Sequence, residues 1–145
     1  MDCEMNKSSN IKKIFRMKTI AVVGMSPNPN RPSHYVALYL RDQGYKIVPV
    51  NPNCIEIAGE ICFPSIKQIP FQVDIVEVFR RSEYIYPIAE DAIEISAKVL
   101  WLQDMVINEK AANLAKKAGL LVVMNDCMMR RHYQLIKLSV LKGMN

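Results

Sequence analysis

The chain is short of the residues that usually announce a chemistry. Its two histidines, His34 and His132, lie far apart, and its four cysteines, Cys3, Cys54, Cys62 and Cys127, form no C-x-x-C pair. That spacing excludes a zinc site and leaves reduced thiols as the expectation. With only five glycines there is no G-x-G-x-x-G, and the P-loop, G-x-S-x-G and H-E-x-x-H patterns are also missing. No apolar run approaches the ~20 residues that span a bilayer. The first eighteen residues lack the apolar stretch and small-residue cleavage site of a secretory signal, so a cytoplasmic location is expected.

The 145 residues fit one domain, and 50% hydrophobic with 23% charged residues is the balance of a soluble globular chain. The net charge of +5 suggests nucleic acid until its distribution is considered. Lys7, Lys12, Lys13, Arg16 and Lys18 face two acids in residues 1–18, and Arg130, Arg131, Lys137 and Lys142 face none in residues 128–145. The remaining body carries a net charge of −2. That balance argues against a polyanion as partner for the core, and any anion bound there must be held by a few local groups.

Five short, β-branched apolar runs recur, at residues 19–24, 45–50, 73–79, 97–103 and 121–125. Unbroken runs of this length suit strands buried on both faces, as in a parallel sheet. Asp74 and Glu77 interrupt the third, which is expected to be less fully covered. Helices are expected between the runs. One, over 33–43, takes Ser33 as N-cap and stops at Gly44; another, over 83–95, has Pro87 in its first turns; a third, over 108–118, runs between Asn108 and Gly119. A last helix, over 130–141, carries Leu135, Leu138 and Leu141 on its apolar face, within a C-terminal segment 128–145. Residues 1–18 form an extension or a short amphipathic helix through Ile11, Ile14 and Phe15. Strand–helix alternation implies a single α/β domain over 1–145: Rossmann-like, doubly wound, with a five-stranded mostly parallel sheet and helices on both faces.

Ligands of such folds sit outside the carboxyl ends of the strands. The first strand ends in Gly24-Met25-Ser26-Pro27-Asn28-Pro29-Asn30-Arg31, the second in Asn51-Pro52-Asn53, the third in Arg80-Arg81-Ser82, the fourth in Gln103-Asp104 and the fifth in Asn125-Asp126-Cys127. Arg31, Arg80 and Arg81 can converge on an anion, since guanidinium forks match phosphate oxygens. The competing reading is surface ion pairing, with Glu83 as a partner. Gly24 permits a tight turn, while Pro27, Pro29 and Pro32 stiffen the loop so that its amides meet a phosphate already ordered. The second strand ends without the acid that would hold a free ribose 2′-hydroxyl, which disfavours NAD. His34 and His132 read as capping or surface residues, Cys127 as a packed thiol near the ligand end, and Trp101 as core.

The run "IAVVGMSPNPNRPSHYVALYLRDQGYKIVPVNPN" resembles the small CoA-binding domain proteins related to the CoA-binding domain of succinyl-CoA synthetase and acyl-CoA synthetases. "EIAGEICFPSIKQIP", "VDIVEVFRRSE", "KVLWLQ" and "AGLLVVMNDCMM" agree in order. The resemblance implies a Rossmann-like fold that binds coenzyme A or an acyl-CoA. It places Gly24, Ser26, Pro27, Asn28, Arg31 and Ser33 around the pyrophosphate, and Val50, Asn51 and Pro52 near the nucleotide. Phe79, Arg80, Arg81 and Gln103 match the family's third and fourth strand ends. Met105 stands where the family usually has glycine after "WLQ", so the pocket is expected to narrow near the pantetheine arm or the loop to be redirected. The synthetases carry a catalytic histidine in a separate domain, so the resemblance implies a small-molecule nucleotide ligand, binding more than catalysis, and no assigned protein partner. The alternatives are a CoA-dependent enzyme component, with Cys127 exchanging disulfides with CoA as one form of it, and an NAD(P)-binding or nucleic-acid-binding regulator.

Overall fold

The computed structural model describes residues 5–143. In chain order they form α1 (Ser8–Ile14), β1 (Thr19–Val23), α2 (Pro32–Asp42), β2 (Lys46–Val50), a hairpin of β3 (Glu56–Ile57) and β4 (Glu60–Ile61), β5 (Ile75–Val78), α3 (Ile85–Glu94), β6 (Val99–Leu102), α4 (Glu109–Lys117), β7 (Leu121–Val123) and α5 (Met128–Gly143). All five apolar runs enter one parallel sheet of order β2-β1-β5-β6-β7. The chain leaves β1 toward one edge and returns across it to β5. The switch point therefore lies between β1 and β5.

Side chains alternate between two cores, as the pleat requires. On one face Ala21, Val23, Val76, Val78, Leu100, Leu102 and Val122 meet the small residues of α3 and α4, including Ala89, Ala92, Ala111, Ala112 and Ala115. On the other Ile20, Val22, Ile75, Val99, Trp101 and Val123 meet α1, α2 and α5. Ile11 and Ile14 of α1 and Phe15 just after it are buried there as expected. Before α1, the Asn6 side chain pairs with the backbone of Met124, donating to its carbonyl at 2.9 Å and accepting its N–H at 3.1 Å. This contact pairs the backbone of Met124, the first residue beyond the edge strand β7.

The third run departs from expectation. It is the central strand, buried along its whole length, and Glu77 is 0% exposed. Topology decides this: β5 is flanked by β1 and β6 and covered on both faces. Neither Glu77 carboxyl oxygen has a hydrogen-bond partner, and burial pushes its pKa up to about 8. Asp74 lies before the strand. Its Oδ2 accepts the N–H groups of Lys18 and Thr19 at 3.2 and 3.1 Å, tying the entrances of neighbouring strands together.

Helix ends match the sequence where the signal is local. The Asn108 side chain accepts the Ala111 N–H at 3.0 Å, and Gly44 and Gly119 take φ of 101° and 96° just beyond their helices. Two expectations fail. Arg31, not Ser33, is the N-cap of α2, because Pro32 supplies the fixed φ of the first helical position. And α5 outruns the body: Leu135 packs against the core, but Leu138 and Leu141 are exposed. Sixteen residues of helix span about 24 Å, whereas a five-residue strand spans about 17 Å.

Candidate functional site

Gly24 makes the switch point. It follows β1 with φ of 84°, and a Cβ built there would lie 2.7 Å from the Phe79 carbonyl oxygen and 3.0 Å from Arg80 Cδ. Only glycine lets the ends of β1 and β5 approach this closely. Its N–H donates to the Val50 carbonyl at 2.9 Å, so three strand ends are fastened at one residue.

The loop beyond Gly24 is stiffened by its own polar side chains as well as by its prolines. Ser33 Oγ accepts the Ser26 N–H at 2.9 Å, Ser26 Oγ the Asn28 N–H at 3.1 Å, and Asn28 Oδ1 the Asn30 N–H at 3.0 Å. His34 is buried rather than at the surface, and its Nδ1 lies 2.8 Å from the Ser26 carbonyl oxygen. The Asn51 Nδ2 donates to the Met25 carbonyl at 2.9 Å, while its Oδ1 accepts the Asn53 N–H at 2.9 Å. This corrects one expectation. The loop spends most of its amides on itself, leaving those of Met25 and Ser33 without a protein acceptor among the described residues. The positive charge beside the loop comes instead from the arginines and the N-terminus of α2.

A crevice of about 930 Å³ opens beside this loop, on the side of α2 and α5. Gly24, Ser26, Arg31, Ser33, Phe79, Arg80, Arg81 and Gln103 line it. Val50 and Pro52 line a separate cleft of about 140 Å³ that shares Gly24 and Arg80 with the first. Pro27, Asn28 and Asn51 line neither; Asn28 and Asn51 hold the loop. Arg31, Arg80 and Arg81 form no ion pair among the described residues, so the expected alternative partner Glu83 is not engaged. Arg80 instead lies over the Tyr84 ring at 5.2 Å. Three unneutralised guanidinium groups thus line one crevice.

The far side of the crevice was legible only in part, since the strand ends pointed to Asp104, Met105 and Cys127 but not to Val106, Met129 or Arg130. Asp104, Met105, Val106, Cys127, Met129 and Arg130 line it. Arg130 grips both Asp104 oxygens at 3.0 and 2.9 Å and reaches Asp126 at 2.9 Å, which drives its pKa upward and holds Asp104 below the usual carboxylate range. Arg131 pairs with Asp126 at 2.5 Å and donates to the Asn6 carbonyl at 3.0 Å. Gln103 caps α5, its Oε1 accepting the Met128 N–H at 3.0 Å. The Trp101 indole, fully buried as expected, donates to the Asp126 carbonyl at 2.8 Å. Cys127 is buried where α5 begins. His132 is buried among Phe15, Tyr39 and Tyr45, and burial lowers its pKa. Among the described residues no three His, Cys, Asp or Glu side chains group as metal ligands would, and no helix is long and apolar enough to cross a membrane.

A doubly wound parallel sheet with a cationic crevice at its switch point defines a Rossmann-like domain built around its strand ends. The chain belongs to the CoA-binding domain family, whose model matches residues 18–133. Over 125 residues it is 43% identical to the uncharacterised protein YneT of Bacillus subtilis (strain 168), covering 86% of this chain and 93% of that one. It is 37% identical over 67 residues to an ADP-forming acetate–CoA ligase of Archaeoglobus fulgidus, a match that spans 45% of this chain and only 10% of the ligase. A solved protein of Pyrococcus horikoshii OT3 superposes with a TM-score of 0.89 at 37% identity, covering 94% of this chain and 96% of that one.

Proposed function

We propose that the protein is a cytoplasmic binder of coenzyme A or acyl-CoA, holding the nucleotide at the carboxyl ends of β1, β2, β5 and β6. The observation that carries this reading is the set of three unpaired arginines, Arg31, Arg80 and Arg81, lining one crevice in a chain of the CoA-binding domain family. Guanidinium groups take a pyrophosphate in bidentate fashion, and the N-terminus of α2 adds its partial positive charge. The neighbouring cleft at Val50 and Pro52 would take the nucleoside end. The neutral Asn51-Pro52-Asn53 strand end tolerates a phosphorylated ribose better than an acid would. A nucleic acid is disfavoured, because Arg130 and Arg131 of the basic C-terminal helix are engaged with Asp104 and Asp126.

Calorimetric titration with CoA, dephospho-CoA and NADP tests the reading. The expected result is saturable heat with CoA, weaker binding of dephospho-CoA and none of NADP. Absence of both heat and thermal stabilisation with CoA and dephospho-CoA overturns it. The second reading, a CoA-dependent enzyme component, draws on the acetate–CoA ligases in which a similar segment forms a small part of a longer chain. It predicts that Cys127, which lines the crevice, is shielded from alkylation by saturating CoA. Equally fast labelling with and without CoA removes the disulfide-exchange form of that reading.

A further inference from the structure

The crevice has two ends of unlike chemistry. The loops after β1 and β5, with the start of α2, bring Arg31, Arg80, Arg81, Ser26 and Ser33; those after β6 and β7, with the start of α5, bring Met105, Val106, Cys127 and Met129 together with the paired Asp104 and Arg130. We propose that the second end is an acyl-group platform. Met105 there selects thioesters of uncharged, apolar acyl groups over free CoA and over acyl groups ending in a carboxylate. This rests on the CoA reading above and goes beyond it.

Met105 has two unfavourable features at once. Its φ of 70° is left-handed, a conformation unfavourable to any residue that bears a side chain. Its side chain is also 82% exposed, so the thioether gains little packing in return. The strain is imposed from both sides of the backbone. Asn125 Oδ1 accepts the Met105 N–H at 2.8 Å, and the Ser82 hydroxyl donates to the Met105 carbonyl at 3.4 Å. Ser82 Oγ also accepts the Ile107 N–H at 2.9 Å, and Asn108 Nδ2 donates to the Ser82 carbonyl at 2.9 Å. The loop is thus fixed so that a flexible, polarizable side chain lines the crevice without a protein partner. Contact with an apolar ligand group would supply the missing return.

The charge arrangement narrows the class. The charged groups that the loops after β6 and β7 bring to the crevice are Asp104 and Arg130, and the Arg130 guanidinium is committed to Asp104 and Asp126. A carboxylate placed against Met105 would lose water without meeting an unpaired cation on these two loops, whereas an alkyl group would lose only contact with water.

The test is calorimetric titration of the wild-type protein, Met105→Gly and Met105→Ala with CoA, butyryl-CoA and succinyl-CoA, alongside thermal melts. The wild-type protein is expected to bind butyryl-CoA roughly threefold to tenfold tighter than CoA, the effect of one or two methylenes in contact. Succinyl-CoA is expected to bind no tighter than CoA. In both variants the butyryl-CoA to CoA ratio should fall toward one. Met105→Gly should also melt above the wild type, while Met105→Ala, which keeps the strain, should not. A wild-type ratio of one, a ratio unchanged in both variants, or succinyl-CoA binding as tightly as butyryl-CoA overturns the proposal. If the wild-type protein binds no CoA at all, the functional reading falls and takes this one with it. A protein that binds CoA but ignores the acyl group overturns the platform alone.

Discussion

The loop after β1 and the loop after β6 flank the same crevice and are made in opposite ways. The first puts its left-handed backbone at Gly24 and shapes itself with neighbours in sequence: Ser26, Asn28 and Ser33 accept amides no more than seven residues away. The second puts its left-handed backbone at Met105 and takes its hydrogen bonds from Asn125 and Ser82, which are 20 and 23 residues distant. Beyond these local bonds the first needs only the tether from Asn51 to the Met25 carbonyl, supplied by the end of the neighbouring β2. The second exists only when the loops after β5 and β7 are already in place. A mostly local loop suits a chemical group common to all ligands of a site, and an assembled loop suits the part that varies.

The largest expected effect acts on both loops from below. Glu77 sits in β5 between them, fully buried, with its pKa pushed up to about 8 by burial. The folded protein keeps that proton up to about pH 8, whereas the unfolded chain releases it near the ordinary value of 4.5. Between these limits the unfolded state binds fewer protons, so stability falls as pH rises, by at most about 1.4 kcal/mol per pH unit from this group. The dependence ends above pH 8, where both states are ionised, and below 4.5, where both are protonated. Urea unfolding from pH 5 to 9 should show the decline, and Glu77→Met should flatten it and raise stability most at pH 8 to 9. Parallel pH profiles for wild type and variant would show that Glu77 is solvated or paired.

Next in size is Gly24→Ala, which strikes the first loop where it leaves the sheet. The added Cβ meets the Phe79 carbonyl oxygen at 2.7 Å on a backbone with φ of 84°, so strain and clash add to roughly 2–4 kcal/mol. Gly44→Ala is the control: its φ is 101° but nothing lies within 4 Å, and about 1 kcal/mol is expected. Equal losses in the two denaturation curves would mean that the β1–β5 approach is not tight.

The sequence carried much of the frame because its causes are local. A β-branched run, Asn108 three residues before Ala111 and a glycine after a helix all act on neighbours. Glu77 was misread because its burial depends on strand order, which no short window contains. The Asp104–Arg130 pair joins residues 26 apart and leaves no periodic trace. The β3–β4 hairpin escaped because its strands are two residues long and its turn, Ala58 and Gly59 at φ of 53° and 82°, lacks the usual Asn-Gly or Asp-Gly signal. Eight of the thirteen expected site residues line the large crevice; Asn51 could not be recognised as a tether, since its partner Met25 lies 26 positions earlier.

A smaller effect separates the two sides of the crevice by charge. Arg80→Ala and Arg81→Ala together should weaken CoA about 10- to 100-fold, since each removes a charge-assisted contact from an otherwise unpaired cation. Arg130→Ala should change CoA affinity less than threefold, because its guanidinium is already neutralised by Asp104 and Asp126. Competition titrations with the wild type decide this. Comparable losses from the two sets of variants would abolish the distinction between a phosphate side and a neutral side.

The smallest effect tests how the second loop is held. Asn125 has φ of 56°, and its Oδ1 accepts the Met105 N–H at 2.8 Å, so one side chain both tolerates a left-handed backbone and imposes another. Asn125→Gly removes the acceptor but relieves Asn125's own strain, and the two changes should nearly cancel. Asn125→Ala removes the acceptor and keeps the strain, and should cost about 1 kcal/mol more than the glycine variant. Hydrogen exchange at the Met105 amide should rise in both variants, while exchange at Ser26, whose N–H is held by Ser33 within the other loop, should not. If Ser26 exchange rises as well, the two loops are coupled through β5 and β6, and the opposition between a mostly local and an assembled loop gives way to a single cooperative rim.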